Sequence, residues 1–305
     1  MVGTEAGPTF FLTPETNIFR HLKPIYQDQY HQMTNQQQPG YPALTKSYKG
    51  MFPFKICTTS FIYPDHYIPN VQMLGPYLDE IELLLFESQG ADVLPSRTVI
   101  TELGRLTAEF DLSYNVHLPT DVSISDRNPA RQQHAVETMI QVIDLVRPLE
   151  ASALVLHVPY SEESYDEQIL KKWRDRVHQN LTQIKSAAGK QNIIAIETLD
   201  YPLELLEDIV LDLDLRICLD LGHLMVYEYN VLEVFNKYAS KTSVLHLHGV
   251  ENGCDHTTLE RLSDKLFKAV LQVLNKFTGV VSLEVFSFEN LDSSLKYLEN
   301  HWRKS

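Results

Sequence analysis

The chain has 305 residues, 44% of them hydrophobic and 22% charged, with a formal net charge of −14. That is the balance of a folded globular protein with enough chain for a full core, and its sign works against polyanionic partners such as nucleic acid or an acidic membrane surface. Three scattered cysteines, Cys57, Cys218 and Cys254, argue against a disulfide framework. With no signal-like N-terminus and no apolar run near the ~20 residues of a spanning helix, the expectation is a cytoplasmic protein.

Residues 1–50 form a polar stretch with Gln36, Gln37 and Gln38 at its centre and no sustained period of 2 or 3.6. They are expected to be a poorly ordered extension ahead of one domain over 51–305. Met51 directly precedes the first strand-like run and is read as a candidate natural start. From there short β-rich runs alternate with amphipathic stretches. The runs fall at 54–58, 81–86, 113–117, 153–158, 193–197, 215–220, 243–248 and 280–285. Asn128 before Pro129 reads as a helix cap and first turn, followed by Val136, Met139, Ile140, Ile143 and Val146 on one face. Ile169, Leu170, Trp173, Val177, Leu181 and Ile184 mark a second long helix, and Leu266, Val270, Val273 and Leu274 a third. These stripes are core-facing and carry no function of their own. Eight strand-then-helix units predict an α/β fold, a closed (β/α)8 TIM barrel, and the ~255 residues from Met51 onward suit its size. A doubly wound open sheet is the alternative, but no glycine-rich phosphate loop follows the first run.

The chemistry gathers where the runs end. Ile217-Cys218-Leu219-Asp220-Leu221-Gly222-His223 is a buried strand stopping at a carboxylate, with an imidazole three residues later. The same spacing fits a capped turn or a pair of metal ligands. The other runs end similarly, at His117, His157, Glu197, His246 with His248, and Glu284, and the loop after the seventh adds Asp255 and His256. In a barrel all of these ends open on one face, where such enzymes do their chemistry. So many ionisable groups on one rim are costly unless paired or bound to a cation. A set of His, Asp and Glu suits Zn2+ or Mn2+. His248 shares a strand face with His246 and reads as a supporting group beside the ligands.

These spaced residues resemble the xylose-isomerase-like barrel superfamily, which includes sugar isomerases and epimerases and the endonuclease-IV-type phosphodiesterases. The resemblance implies one metal on Glu197, Asp220, His246 and Glu284 if the chain is an epimerase. The phosphodiesterase type implies two or three ions, with His117 (Val-His-Leu-Pro) and His157 (Leu-His-Val-Pro) as further ligands, Glu197 as a bridge, and His223 and His256 at a third position. There the family's Asp-x-His is replaced by the adjacent pair Asp255-His256. Glu197, Glu284 and His248 are then expected at the reacting centre.

A narrower likeness lies in Thr58-Thr59-Ser60-Phe61-Ile62-Tyr63-Pro64, Asn70-Val71, Glu82-Leu83-Leu84-Leu85-Phe86-Glu87 and Val116-His117-Leu118-Pro119. These segments are similar to bacterial cobamide-remodelling phosphodiesterases, which cut the nucleotide loop of a cobamide to give cobinamide phosphate and an α-riboside. On that reading Thr59, Ser60 and Glu87 contact substrate, although residues 58–60 equally suit a lining of the barrel mouth. Arg127 and Arg131 stand near enough in sequence to assist a phosphate. The acidic chain has no basic stripe interleaved with aromatics, so a small-molecule phosphodiester is expected, with no nucleic-acid or membrane partner. A metal-dependent sugar isomerase or epimerase is the other reading.

Overall fold

A computed structural model describes residues 40–86, 94–189 and 192–302, and the account below concerns the compact unit that begins at Pro42. In chain order its elements are β1 (Lys55–Thr59), α1 (Tyr67–Leu74), β2 (Glu80–Leu84), α2 (Arg97–Phe110), β3 (Ser113–His117), α3 (Pro129–Val146), β4 (Leu154–Leu156) and α4 (Glu167–Ala188). Then come β5 (Ile194–Glu197), α5 (Glu207–Asp212), β6 (Arg216–Asp220), α6 (Leu221–Val226), α7 (Val231–Tyr238) and β7 (Thr242–Leu247). The last are β8 (Gly249–Glu251), β9 (Cys254–Thr257), α8 (Asp264–Leu274), β10 (Val280–Leu283) and α9 (Phe288–Trp302). Eight strands close a barrel in the order β1-β2-β3-β4-β5-β6-β7-β10, every neighbour parallel. The protein is a TIM barrel, built from the eight expected runs.

Several strands stop short of the ends of the apolar runs that announce them. β4 stops at Leu156, β7 at Leu247 and β10 at Leu283, so His157, His248 and Glu284 stand just beyond their strands, where the backbone leaves the ladder. The expected helical stripes pack in the main: Val136, Met139, Ile143 and Val146 on α3, Trp173, Val177, Leu181 and Ile184 on α4, and Val270, Val273 and Leu274 on α8 are buried, whereas Ile140, Ile169, Leu170 and Leu266 are half-buried at the stripe edges. Asn128 caps α3, its side-chain oxygen accepting from the amides of Ala130 and Arg131.

The β8–β9 hairpin was not expected. Its turn is Asn252-Gly253, both with positive φ (53° and 76°), between the paired Glu251 and Cys254. That is the backbone a two-residue hairpin turn needs, and Asn-Gly adopts it at little cost.

The barrel interior follows from the two-residue period of a strand. Cys57, Ala153, Val155, Ala195, Cys218, Val244 and Val280 form one buried cluster, and contact among so many strands requires side chains on the inner wall. Small residues fill this layer. Two residues further along the same inward rows come Thr59, His157, Glu197, Asp220 and His246, so the polar layer sits directly above a packed apolar floor. Residues 44–50 lie at the opposite end. Leu44 and Tyr48 are buried, the Tyr48 amide donates to Tyr77 O at 2.8 Å, Lys49 Nζ donates to Phe110 O at 2.6 Å, and Lys46 pairs with Glu299. Tyr77 and Phe110 stand just before β2 and β3, so this segment packs at the N-terminal end of the barrel and takes no part in the site.

Candidate metal centre

Asp220 shows how the backbone builds the site. It ends β6 and is also the N-cap of α6: its Oδ1 accepts from the His223 amide at 2.8 Å, while Oδ2 lies 3.2 Å from His223 Nδ1. The capped-turn and metal-ligand readings of Asp-x-x-His therefore describe one arrangement, in which the cap uses one oxygen and presents the other to the barrel mouth.

The strand-end side chains gather into adjoining groups. In the first, His117 Nε2 and His157 Nε2 each lie 3.0 Å from Glu197 Oε2. In the second, His246 Nδ1 lies 3.1 Å from Glu284 Oε2, 3.5 Å from Glu197 Oε1 and 3.9 Å from Asp220 Oδ2. Glu197 thus turns one oxygen to each group. In the third, one ring nitrogen from each of His223, His248 and His256 falls within a 4.8 Å span. The His248 and His256 rings stack at 4.2 Å between centroids, and His256 Nε2 reaches towards Glu284 Oε2 at 3.6 Å.

Hydrogen bonds outside these groups fix which nitrogen faces in. His117 Nδ1 lies 3.0 Å from Leu118 O and His223 Nδ1 3.2 Å from Thr198 O. A carbonyl only accepts, so both Nδ1 atoms carry hydrogen and Nε2 is the nitrogen able to ligate. His246 is the reverse: Nε2 lies 3.0 Å from Glu82 Oε1, so Nδ1 is turned inward. His248 differs again. Its Nδ1 lies 2.9 Å from the His256 amide and 3.3 Å from Gly249 O; the shorter contact is with a donor and favours hydrogen on Nε2, 3.2 Å from Asp220 Oδ1. His248 is thereby suited to hold a proton rather than to ligate, and the grouping of three ring nitrogens overstates its part in a cation site.

Facing inward, the remaining lone pairs oppose one another. A neutral His117 would set its Nε2 lone pair against a carboxylate oxygen, and His246 Nδ1 would do the same towards Glu284. Such contacts demand either a proton or a cation between the partners. In the metal-free protein protons fill the role. Burial alone would raise the Glu197 carboxyl, but the imidazoles of His157, His246 and His117 hold it well below the usual carboxylate range. Burial is outweighed likewise at Glu284, by His246 and His256. Burial would lower His246, yet Glu82, Glu284 and Glu197 raise it well above an ordinary imidazole. Against the same burial, the carboxylates of Asp255 and Glu284 push His256 up to about 10.

Six buried polar atoms here make close ionic contacts but no well-formed hydrogen bond: His157 Nε2, Asp220 Oδ2, His246 Nδ1, His248 Nε2, His256 Nδ1 and Glu284 Oε2. Each such atom left unsatisfied costs on the order of 1–3 kcal/mol, so their convergence on one space is best explained by a ligand. The donors are nitrogen and carboxylate oxygen, with the Cys218 thiol buried beside them and pushed far above its ordinary range by burial. The residues fit divalent cations of the zinc or manganese kind.

The other residues singled out in the sequence lie elsewhere or have other partners. Thr59 Oγ1 donates to Val285 O at 3.1 Å and Ser60 Oγ accepts from the Leu84 amide at 3.2 Å, so both hydroxyls tie the barrel mouth together. Arg127 and Arg131 are exposed and sit beside Glu163 and Asp126 at 3.0 and 3.5 Å; the structure does not bring them into the clusters. Glu87 lies outside the described residues. Asp255 joins the third group through His256, its Oδ1 3.1 Å from His256 Nδ1. Neighbours along a strand point to opposite faces, but His256 has φ 52°. That left-handed backbone, rare for a non-glycine residue, breaks the alternation and lets the adjacent pair meet. The sequence reading missed Glu82 as a site residue. Its signal was a charge inside the apolar run 81–86, in a sheet whose strands are buried on both faces.

A profile of the xylose isomerase-like TIM barrel family matches residues 74–301. No curated protein matches the sequence. Among solved structures the chain is similar to a D-tagatose 3-epimerase-like protein, with 21% identity over 82% of this chain and 97% of that one and a TM-score of 0.69. Endonuclease IV from Thermus thermophilus superposes with a TM-score of 0.65, at 15% identity over 82% of this chain and 100% of that one. The IolI protein with a bound zinc atom gives a TM-score of 0.64, at 16% identity over 81% and 97%. At such identities the likeness speaks for the fold alone. The matched profile covers three quarters of the sequence and every strand that carries a candidate ligand: the chain belongs to the xylose isomerase-like TIM barrel family.

Proposed function

We propose that the protein is a metal-dependent phosphodiesterase acting on a small-molecule phosphodiester, and that its substrate is a cobamide, cleaved to cobinamide phosphate and an α-riboside. The observation that carries the reading is the division of Glu197 between two groups: Oε1 faces Asp220, His246 and Glu284, and Oε2 faces His117 and His157. A single-ion isomerase has no use for the two imidazoles on β3 and β4, whereas phosphoryl transfer benefits from two or three adjacent cations. When bound, such ions supply a hydroxide at neutral pH and positive charge for the phosphate oxygens and the leaving oxygen.

Glu197 and Glu284 would hold the cations that bind the phosphate, since carboxylates alone repel it, and His248 would hold a proton at Nε2, 3.2 Å from Asp220 Oδ1. The overall reaction adds water across one P–O bond: the hydroxyl goes to phosphorus, and the proton to the riboside oxygen. The formal net charge of −14 favours a substrate with one phosphodiester on a bulky neutral or cationic body over a polyanionic duplex.

The likeness to the D-tagatose 3-epimerase-like protein, together with the four-residue group Glu197, Asp220, His246 and Glu284, favours a second reading as a sugar isomerase or epimerase. One experiment separates the two. The metal-loaded protein is incubated with an adenosylated cobamide or with ketose sugars, products are separated and identified by mass, and metal equivalents are counted. Cobinamide phosphate with two or three equivalents supports the phosphodiesterase. Intact cobamide with sugar turnover and one equivalent overturns it.

A further inference from the structure

Among the described residues, Glu82 is a buried carboxylate that touches a candidate ligand without belonging to any of the three groups. It is fully buried on β2, two residues along the strand from Glu80, another buried carboxylate. Its Oε1 lies 3.0 Å from His246 Nε2 and its Oε2 accepts from Ser282 Oγ at 2.5 Å. We propose that Glu82 is a positioning residue for the inner cation site: it holds the Nε2–H form of His246 and so aims Nδ1 at Glu197, Asp220 and Glu284.

A carboxylate withdrawn from water carries a penalty of several kcal/mol unless it is well partnered. If the only task at this position were to satisfy Ser282 and fill the barrel, a neutral amide or an apolar side chain would do it without that penalty. The charge is useful where its hydrogen-bond partner donates to it, and more so when the far side of that partner meets a cation. A carboxylate on one imidazole nitrogen fixes the ring tautomer and makes the other nitrogen a stronger donor.

The neighbouring imidazoles sharpen the point. His117 and His223 have their tautomers set by main-chain carbonyls, Leu118 O and Thr198 O, which hold a ring in place without adding charge. His246 is set instead by a side chain from across the barrel, on a strand that contributes no ligand of its own. Its Nδ1 is also central to the second group, with Glu284 Oε2, Glu197 Oε1 and Asp220 Oδ2 all within 3.9 Å. Glu82 therefore acts on the ligand that most of the inner group shares. This holds for a one-ion or a multi-ion site and does not depend on the substrate.

The test uses full-length Glu82→Gln and Glu82→Leu proteins, stripped with a chelator and reloaded with Zn2+. Zinc affinity is read by competition with a chromophoric chelator. The His246 tautomer is read in the stripped protein from nitrogen-15 NMR of the imidazoles, at a pH high enough to leave the ring neutral, and the stripped protein's thermal midpoint is recorded beside both. In Glu82→Gln the amide can donate to Nε2, so the Nδ1–H form should appear and affinity at the inner site should fall about 10- to 100-fold. In Glu82→Leu the Nε2–H form should lose its dominance, with a comparable or larger loss of affinity. Wild-type zinc affinity and tautomer in Glu82→Gln, with only a lowered midpoint, would overturn the proposal and leave Glu82 a packing residue. Should Glu82→Leu fail to fold, Glu82→Gln decides alone. No substrate enters these readouts, so loss of the phosphodiesterase reading would leave them intact.

Discussion

The imidazole of His248 lies flat against the backbone of Gly222: a Cβ placed on Gly222 would stand 1.9 Å from His248 Cε1 and 2.2 Å from Nε2. The glycine of Asp-Leu-Gly-His is thus explained by space, since its φ is not among the positive ones. Gly222→Ala should add helix propensity worth up to about 1 kcal/mol to α6 and yet destabilise the protein by about 1–3 kcal/mol through overpacking, with His248 displaced from Asp220 and activity reduced. Thermal melts and turnover check this together. A more stable variant with wild-type turnover would show that the ring moves aside freely.

His117→Ala and His157→Ala are each expected to lower bound metal by about one equivalent and activity by at least about 100-fold, with the fold retained. The two imidazoles meet the same carboxylate oxygen, Glu197 Oε2, from two strands, so either truncation opens the same cation position. Elemental analysis with circular dichroism reads both effects. Full metal content and turnover in either variant would reduce the centre to the four residues shared with an isomerase.

Much of this centre could be read in the sequence because a TIM barrel turns position along a strand into position in space. A polar residue ending an apolar run must lie at the mouth, and Glu197, Asp220 and His246 needed only the two-residue period to be placed. Glu82 could not be read that way. It sits inside its run, and nothing local distinguishes a carboxylate that meets an imidazole across the barrel from one that meets solvent. His256 depended on a left-handed backbone, and on a hairpin whose Asn252-Gly253 signal lay in plain view. The segment that packs beneath the barrel, residues 44–50, was hidden for another reason. Leu44 and Tyr48 are buried one at a time in a polar stretch, without periodicity to announce them.

That packing makes a truncation informative. A chain beginning at Met51 loses two buried side chains, Leu44 and Tyr48, each worth on the order of 1.5–3 kcal/mol, and the Lys46–Glu299 pair. It should melt at a lower temperature than a chain beginning near Pro42, with metal content unchanged because the lost contacts lie at the far end of the barrel. Equal midpoints would mean that residues 42–50 only rest on the barrel.

Glu284→Gln should damage metal binding more than the fold. The amide keeps the volume but withdraws the charge that faces His246 Nδ1 at 3.1 Å and His256 Nε2 at 3.6 Å. The expected result is a loss of metal and activity, with the chelated protein's midpoint moved by only a few degrees. A large drop in that midpoint with metal content preserved would make Glu284 a structural partner of the imidazoles instead of a ligand.

The same charges set how stability varies with pH. In the chelated protein the depressed carboxyls of Glu197 and Glu284 contribute stability above their ordinary value of 4.5, lost as pH falls through their lower folded values. The raised imidazoles act in the opposite sense. His256 contributes fully below its ordinary 6.5 and ceases to as pH rises through about 10. The chelated protein should therefore melt highest between about 4.5 and 6.5, where both contributions are complete. Metal binding needs neutral imidazoles, so it competes with those protons and strengthens as pH rises. The difference in midpoint between loaded and chelated protein should be small in acid and grow steadily towards pH 9. Paired melts across that range measure it directly. Parallel profiles, with a constant difference, would show that the bound metal displaces no protons and that these imidazoles are not its ligands.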